Sequence, residues 1–279
     1  MFFHLGQRPF YPSPSSGYLF TCQHLSGQLT AAGVPWKAYQ EDVKYSSSKL
    51  VSASGSGAPV NAFNGTTNYN YAVKHNPMVF FIDPQNKNIN PLTNFWADLA
   101  NNQVGRYNWI TPDQYNEMHS SLPNGYTCHG VPYTGDQAAI AEGDNFLALA
   151  IPKIMASEAY QSNGVINIWT DETESTDDTN TTQPYVILSP LAKGNACTST
   201  LAYSYASDLK TMDEIFGLAW QTNAIPGAEK DAQYTGYDYV NGSSAVSNDL
   251  SDFFLAGGGR RRGPWQSANP EHRNIVIHL

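Results

Sequence analysis

Asp171 and Glu172 close the run VINIWTDE, two adjacent carboxylates directly behind a short apolar segment. Adjacent carboxylates repel each other unless a cation or protons intervene. In a parallel α/β sheet, sites form beyond the carboxyl ends of the strands. A hard or borderline divalent metal ion is the economical way to hold such a pair, so Asp171 and Glu172 are the expected metal ligands. Glu174, Asp177 and Asp178 follow at once, and a solvated acidic loop is the alternative. The run lacks the spacing and central glycine of a calcium EF-hand loop. His75 precedes Asn76-Pro77 at an expected strand end or turn, where a structural histidine bonded to backbone is the ordinary role. His119 falls behind Thr111-Pro112, and His129 follows Cys128. Asp144-Asn145 reads as a helix opening, either a simple cap or an anion-favouring end. The sequence contains no GxSxG elbow, phosphate-cradling GxxxxGK[ST], GxGxxG or HExxH.

The elements that must position these residues alternate. Ser26 to Gly33 reads as a short helix with Ser26 as a possible cap, and Val34 to Tyr39 as a strand ending in Gln40-Glu41-Asp42. Residues 44–70, dense in Ser, Gly and Asn, read as a long surface loop. Leu92, Phe95, Trp96 and Leu99 have helical spacing. Arg106 to Ile110 is a strand candidate, and Thr111-Pro112 has the form of a cap and first helical residue. The helix they predict carries Asp113, Glu117 and His119. Asp144 to Tyr160 is a longer helix that Pro152 kinks or restarts. Val165 to Trp169 and Tyr185 to Leu188 read as buried strands, and Ser207 to Leu218 as an amphipathic helix capped by Ser207 or Asp208. Strands alternating with helices predict an α/β fold around a mostly parallel sheet.

With 279 residues and 30.6 kDa the chain suffices for one large domain or two small ones. Charged residues are only 14%, against roughly a quarter in an average soluble protein. The surface must therefore rely on Asn, Ser, Thr, Gln, Gly and Tyr, a pattern common in secreted and periplasmic bacterial proteins. A net charge of −9 argues against a nucleic-acid partner bound by phosphate neutralisation. No apolar run approaches the ~20 residues of a membrane span, and no signal peptide is recognisable at the start. Cys22, Cys128 and Cys197 allow one disulfide in three pairings, or three unpaired thiols. The expected organisation is an irregular arm over 1–23, an α/β domain over 24–256 and a flexible basic tail over 257–279. The Gly-Arg-rich start of that tail marks the change in character.

Six ordered blocks carry a resemblance. They are HLSGQLTAAGVPWKAYQEDV (24–43), YAVKHNPMVFF (71–81), YNWITPDQYNEMHSSL (107–122), GDNFLALAIPKIMASEAYQSNGVINIWTDETE (143–174), PYVILSPLAKGNA (184–196) and YSYASDLKTMDEIFGL (203–218), with an echo in NDLSDFF (248–254). In this order they resemble the bacterial phosphoesterase family of phospholipases C and acid phosphatases, within the alkaline-phosphatase superfamily.

The resemblance implies a three-layer α/β sandwich around a mostly parallel sheet. It implies a metal-dependent hydrolase of phosphate mono- or diesters, with a divalent metal ion held partly by Asp171 and Glu172. It maps a family histidine onto His75, and another onto His119, for binding phosphate oxygens or protonating the leaving group. Two departures stand out. The family's Glu-Asn-x-Ser-Phe-Asp segment and its Ser or Thr nucleophile have no recognisable counterpart, as though the N-terminal part were missing. Tyr205 stands where the family commonly carries His. The expectation is a phosphoesterase whose chain, taken alone, turns over slowly or not at all. The competing expectation, from the Tyr/Asn-rich surface, is a secreted noncatalytic glycan- or surface-binding protein. Substrate identity and oligomeric state are left open.

Overall fold

The apolar run before Asp171 forms a strand with the bounds its composition predicts: β6 (Val165–Trp169) is buried at all five positions. The computed structural model describes residues 24–43, 71–72, 75–80, 88–120, 122–170, 183–194, 197–203, 205–219, 248–255 and 274–278. The chain divides into two compact units. One comprises Trp36–Val79, Gln85–Pro190 and Glu271–Leu279, and the other Met1–Pro35, Phe80–Pro84 and Leu191–Pro270.

The first unit is built on a six-stranded sheet. Its members are β1 (Trp36–Gln40), β2 (Ile89–Pro91), β3 (Tyr107–Thr111), β6, β7 (Tyr185–Leu188) and β8 (Asn274–His278), in spatial order β2-β1-β3-β8-β6-β7. Every pairing is parallel except β6 with β7. A mostly parallel sheet is thus present as predicted. A separate antiparallel hairpin joins β4 (Tyr126–Cys128) to β5 (Val131–Tyr133).

Three helices pack on one face of this sheet: α2 (Leu92–Ala100), α3 (Asp136–Met155) and α4 (Glu158–Gln161). Leu92, Phe95 and Leu99 of α2, Phe146, Ala150 and Ile154 of α3, and Ala159 and Tyr160 of α4 form one cluster. Against them stand Tyr39 of β1, Ile110 of β3, and Ile166 and Ile168 of β6. The period-two alternation of a strand leaves Trp109, Thr111, Asn167 and Trp169 on the opposite face, and these too are buried. Burial on both faces is what a parallel sheet requires, and it explains the near-continuous apolar runs. Asp98 ties α2 to β1 by accepting from Lys37 Nζ at 2.6 Å and from Tyr39 Oη at 2.7 Å.

Several expectations need correction. β7 was expected to be buried, but it is an edge strand and Val186 is exposed. Residues 274–278 of the expected tail form β8, in the interior of the sheet between β3 and β6. Asp144 does not open a helix, because α3 begins at Asp136 behind Gly135 and passes through 144. It also runs on through Pro152, with buried Ala150 and Ile154 anchoring both sides of the missing N–H.

The second unit contains α1 (Leu25–Ala31) and α5 (Tyr205–Phe216), which contact each other. His24, not Ser26, caps α1, its Nδ1 accepting from Gly27 N at 3.0 Å. Ser207 and Asp208 lie inside α5, which starts at Tyr205. Asp252 accepts hydrogen bonds from Ser199 Oγ and Tyr203 Oη, and Tyr203 Oη also contacts Ser199 Oγ at 2.9 Å. Cys128 and Cys197 are both free thiols. Cys22 and residues 44–70 lie outside the described residues. Among those described, no helix is long and apolar enough to cross a membrane.

Candidate active site

Parallel pairing brings the carboxyl ends of four strands to one edge. Gln40 is in register with Thr111, and Trp169 with His278. Tyr107 and Val165 both pair with Asn274, so Thr111 and Trp169 end at the same level. The segments leaving this edge are Glu41-Asp42 after β1 and Pro112–His119 after β3. Behind β6, Thr170 leads into Asp171 and Glu172, which lie outside the described residues.

Thr111 organises the edge. Its Oγ1 receives Trp109 Nε1 at 2.8 Å and Gln40 Nε2 at 3.2 Å, and donates to the His75 carbonyl at 3.1 Å. That hydroxyl is therefore engaged in tertiary contacts and does not cap a following helix, contrary to the local pattern. Instead Asp113 turns the chain, with Oδ1 accepting from Tyr115 N at 3.0 Å and Asn116 N at 2.9 Å. Glu117 N closes a single turn on the Asp113 carbonyl at 2.9 Å. Met118 then takes the left-handed conformation, φ 71°, and ends the turn between Glu117 and His119. A left-handed Met is uncommon and costs free energy, so the surrounding contacts must hold this reversal.

The turn delivers Glu117 and His119 to His75. Nδ1 of the buried His75 lies against Oε1 of the buried Glu117, an ion pair whenever the imidazole is protonated. The rings of His75 and His119 meet edge to face, centroids 5.5 Å apart. His75 is only 6% exposed, whereas His119 is open to solvent. The main chain of His75 is fixed as well, its N–H donating to the Ala72 carbonyl at 2.9 Å. Asn76 Nδ2 donates to the buried phenol of Tyr71 at 3.1 Å.

Further carboxylates surround the turn. Glu41 Oε2 accepts from Asp113 N at 3.0 Å and Asn116 Nδ2 at 2.8 Å. Its own N–H donates to the Thr111 carbonyl, extending the β1–β3 pairing beyond the strands. Asp42 is buried in a left-handed conformation, φ 60°. From α3, Glu142 faces the same turn. Burial pushes its carboxyl up, and the Asp113 charge adds to the effect, to about 7. Gly143 permits this close approach, since a Cβ there would lie 2.5 Å from Met118 Cγ and 3.2 Å from the Asn116 carbonyl oxygen.

The structure thus unites His75 and His119, the two predicted histidines, with His119 following a turn rather than lying on a helix. Sequence reasoning placed Asp113 and Glu117 beside His119, and Glu41 at the end of the first strand, without giving any of them a site role. The rule that singled out Asp171-Glu172, acids directly behind a strand, applies equally to Gln40-Glu41-Asp42. Among the described residues, no group of three or more His, Cys, Asp or Glu side chains is arranged to hold a metal ion.

What these groups offer is a buried imidazole with a carboxylate on one nitrogen and a second, exposed imidazole beside it. Such an arrangement can bind an anion and supply or accept a proton. The phosphoesterase family model matches residues 14–219, and the chain belongs to that family. It is thus of the phosphoesterase type, a class of hydrolases acting on phosphate esters. No curated protein matches the chain.

Proposed function

We propose that this protein is a metal-dependent phosphoesterase of the acid phosphatase or phospholipase C type, secreted or periplasmic, with its reaction centre at the carboxyl edge of the sheet. The observation that carries this reading is the meeting of His75 and His119, remote in sequence, where β3 ends. In this reading the fold is the alkaline-phosphatase-like three-layer sandwich, and the substrate is a phosphate mono- or diester.

His75 and His119 bind the phosphoryl oxygens, and one of them protonates the departing oxygen. The buried His75 is shielded from bulk water, which strengthens its interaction with phosphate charge. His119, exposed and edge-on to it, is placed to exchange protons with solvent. Asp171 and Glu172 would hold a divalent cation, since hard carboxylate oxygens suit such an ion and β6 leads the chain to this edge. When bound, the cation would neutralise charge on the ester and lower the pKa of an attacking oxygen. In this reading the site is asymmetric, with proton-bearing groups on His75 and on His119 behind β3, and charge-neutralising groups from the segment that follows β6 in sequence.

The test is a time course with an activated aryl phosphate and added divalent ions. Turnover should depend on the ion, and it should be slow, because no Ser or Thr nucleophile is recognisable in the sequence. His75→Ala should lower it at least about 100-fold, the lower range for a lost acid–base group. The ion should also raise the melting temperature of the parent chain by binding the native state, and Asp171→Asn should remove that rise. Turnover indifferent to His75→Ala would sink the assignment, and an equal thermal shift in Asp171→Asn would move the metal elsewhere.

A further inference from the structure

We propose that Glu117 is a positioning residue for His75, holding a proton on Nδ1 so that Nε2 is the nitrogen presented to the phosphate ester. The inference rests on the phosphoesterase reading and adds a residue to it. Glu117 lies against Nδ1 of His75, and both side chains are buried, at 2% and 8% exposure. A carboxylate beside one ring nitrogen favours the proton there and fixes both tautomer and ring orientation. With Nδ1 turned to the carboxylate, Nε2 is the nitrogen left to exchange a proton with a phosphoryl or departing oxygen.

The rest of the local structure serves this pair. Thr111 Oγ1 and the Ala72 carbonyl fix the main chain of His75 on both sides. Asp113 fixes the turn that carries Glu117, through its side chain to the Tyr115 and Asn116 amides and its carbonyl to the Glu117 amide. Glu41 holds the turn in place through Asp113 N and Asn116 Nδ2. Two rigid backbones, one before the Asn-Pro corner and one behind β3, therefore bring imidazole and carboxylate together without long flexible arms. Pre-organisation of this kind is what an acid–base group needs to act in a fixed direction. His119, 5.5 Å away between ring centroids, has no such carboxylate contact among the ion pairs of the described residues. The two histidines are thus unequal, and His75 is the one held in a defined state.

The experiment uses the full chain and its Glu117→Gln, Glu117→Asp and His75→Ala variants, each checked for folding by circular dichroism. Long-range proton–nitrogen NMR of the imidazoles reports which ring nitrogen carries the proton, and His75→Ala assigns the signal. The parent chain and Glu117→Asp should show His75 protonated on Nδ1, whereas Glu117→Gln should show a mixture of tautomers. With an activated aryl phosphate, Glu117→Gln should lower kcat about 10–100-fold, as loss of an orienting carboxylate does, with KM within about twofold. Glu117→Asp should recover part of the loss. Adding Glu117→Gln to His75→Ala should cost nothing more, because residues acting as a unit are not additive. An unchanged His75 signal in Glu117→Gln overturns the proposal, as does a double variant whose loss is the product of the singles. Absence of turnover in the parent chain would bear only on whether this chain catalyses by itself, while the tautomer measurement would still decide the role of Glu117.

Discussion

Asp252 and Glu142 are both partly buried carboxyl groups, and their surroundings drive them in opposite directions. Burial alone would push Asp252 up, but hydrogen bonds from Ser199 and Tyr203 and the nearby Lys193 charge outweigh it. Its carboxyl is held below the usual range. Glu142 receives no such help: burial raises it, and the Asp113 charge raises it further, to about 7. The difference lies in burial, the larger cause at Glu142, and in the groups that face each acid. Where hydroxyls and a cation face the acid, the charge is kept; where another carboxylate faces it, the proton is kept. The first arrangement pins a surface segment in the smaller unit. The second leaves a protonatable acid near the turn that carries Glu117 and His119.

The largest expected effect comes from removing the carboxylate that separates the two cases. Asp113 is buried, and its Oδ1 satisfies two backbone amides. Asp113→Ala should cost about 2–4 kcal/mol of stability, since each buried donor left unmet costs roughly 1–3. The Glu142 carboxyl should also move down part of the way, because burial is its larger cause and persists. Carbon-detected NMR titration of Glu142, alongside denaturant melts, checks both. A Glu142 titration that does not move would exclude Asp113 as a cause.

A smaller effect is expected on the other side of the comparison. Tyr203→Phe removes one donor to Asp252 and should cost about 1 kcal/mol at neutral pH. Because the folded carboxyl is depressed, its stabilisation is present above the unfolded value, near 3.9. It is lost as pH falls through the lower folded value. The deficit of Tyr203→Phe relative to the parent chain should therefore shrink in acid. A deficit independent of pH would mean the hydroxyl matters for packing and not for the charge.

The smallest effect is that of Glu142→Gln. Between the ordinary 4.5 and about 7 the unfolded chain has already released a proton that the folded chain keeps. Glu142 thus makes stability fall as pH rises through that window, with no further fall above it. The Gln variant should gain on the parent chain across the same interval, by no more than about 1 kcal/mol after allowance for solvent screening at this half-exposed group. Paired melts at pH 4.5 and pH 8 measure it. A gain that is the same at both ends would trace to packing.

Elements whose signal is local were legible. β6 has its predicted bounds because four apolar residues around a single Asn in a short run suit a doubly buried strand. Helix α2 follows from Leu92, Phe95 and Leu99 at helical spacing, all buried. Elements decided by distant partners were not legible. Thr111-Pro112 has the local form of a helix start, yet the Thr111 hydroxyl is taken by Trp109, Gln40 and His75. The run Tyr185 to Leu188 is apolar like β6, but pairing on one side only makes it an edge. β8 was hidden behind the Gly-Arg-rich stretch, although Ile275-Val276-Ile277 carries a strand composition. The site divides in the same way. His75 and His119 could be nominated from sequence, whereas their junction through Glu117 could not.

Apart from His75 and His119, which the family resemblance nominated, the sequence by itself determined the mostly parallel α/β class and the strand that leads to Asp171 and Glu172. Those features rest on periodicity, composition and residue chemistry, which act within a few positions along the chain. Tertiary structure alone decided that β8 lies inside the sheet, that the segment behind β3 is a turn, and that Glu117 meets Nδ1 of His75. Each depends on which groups satisfy which buried donors and acceptors. A buried polar group must find a partner wherever the fold provides one, and here those partners come from segments far apart in the chain.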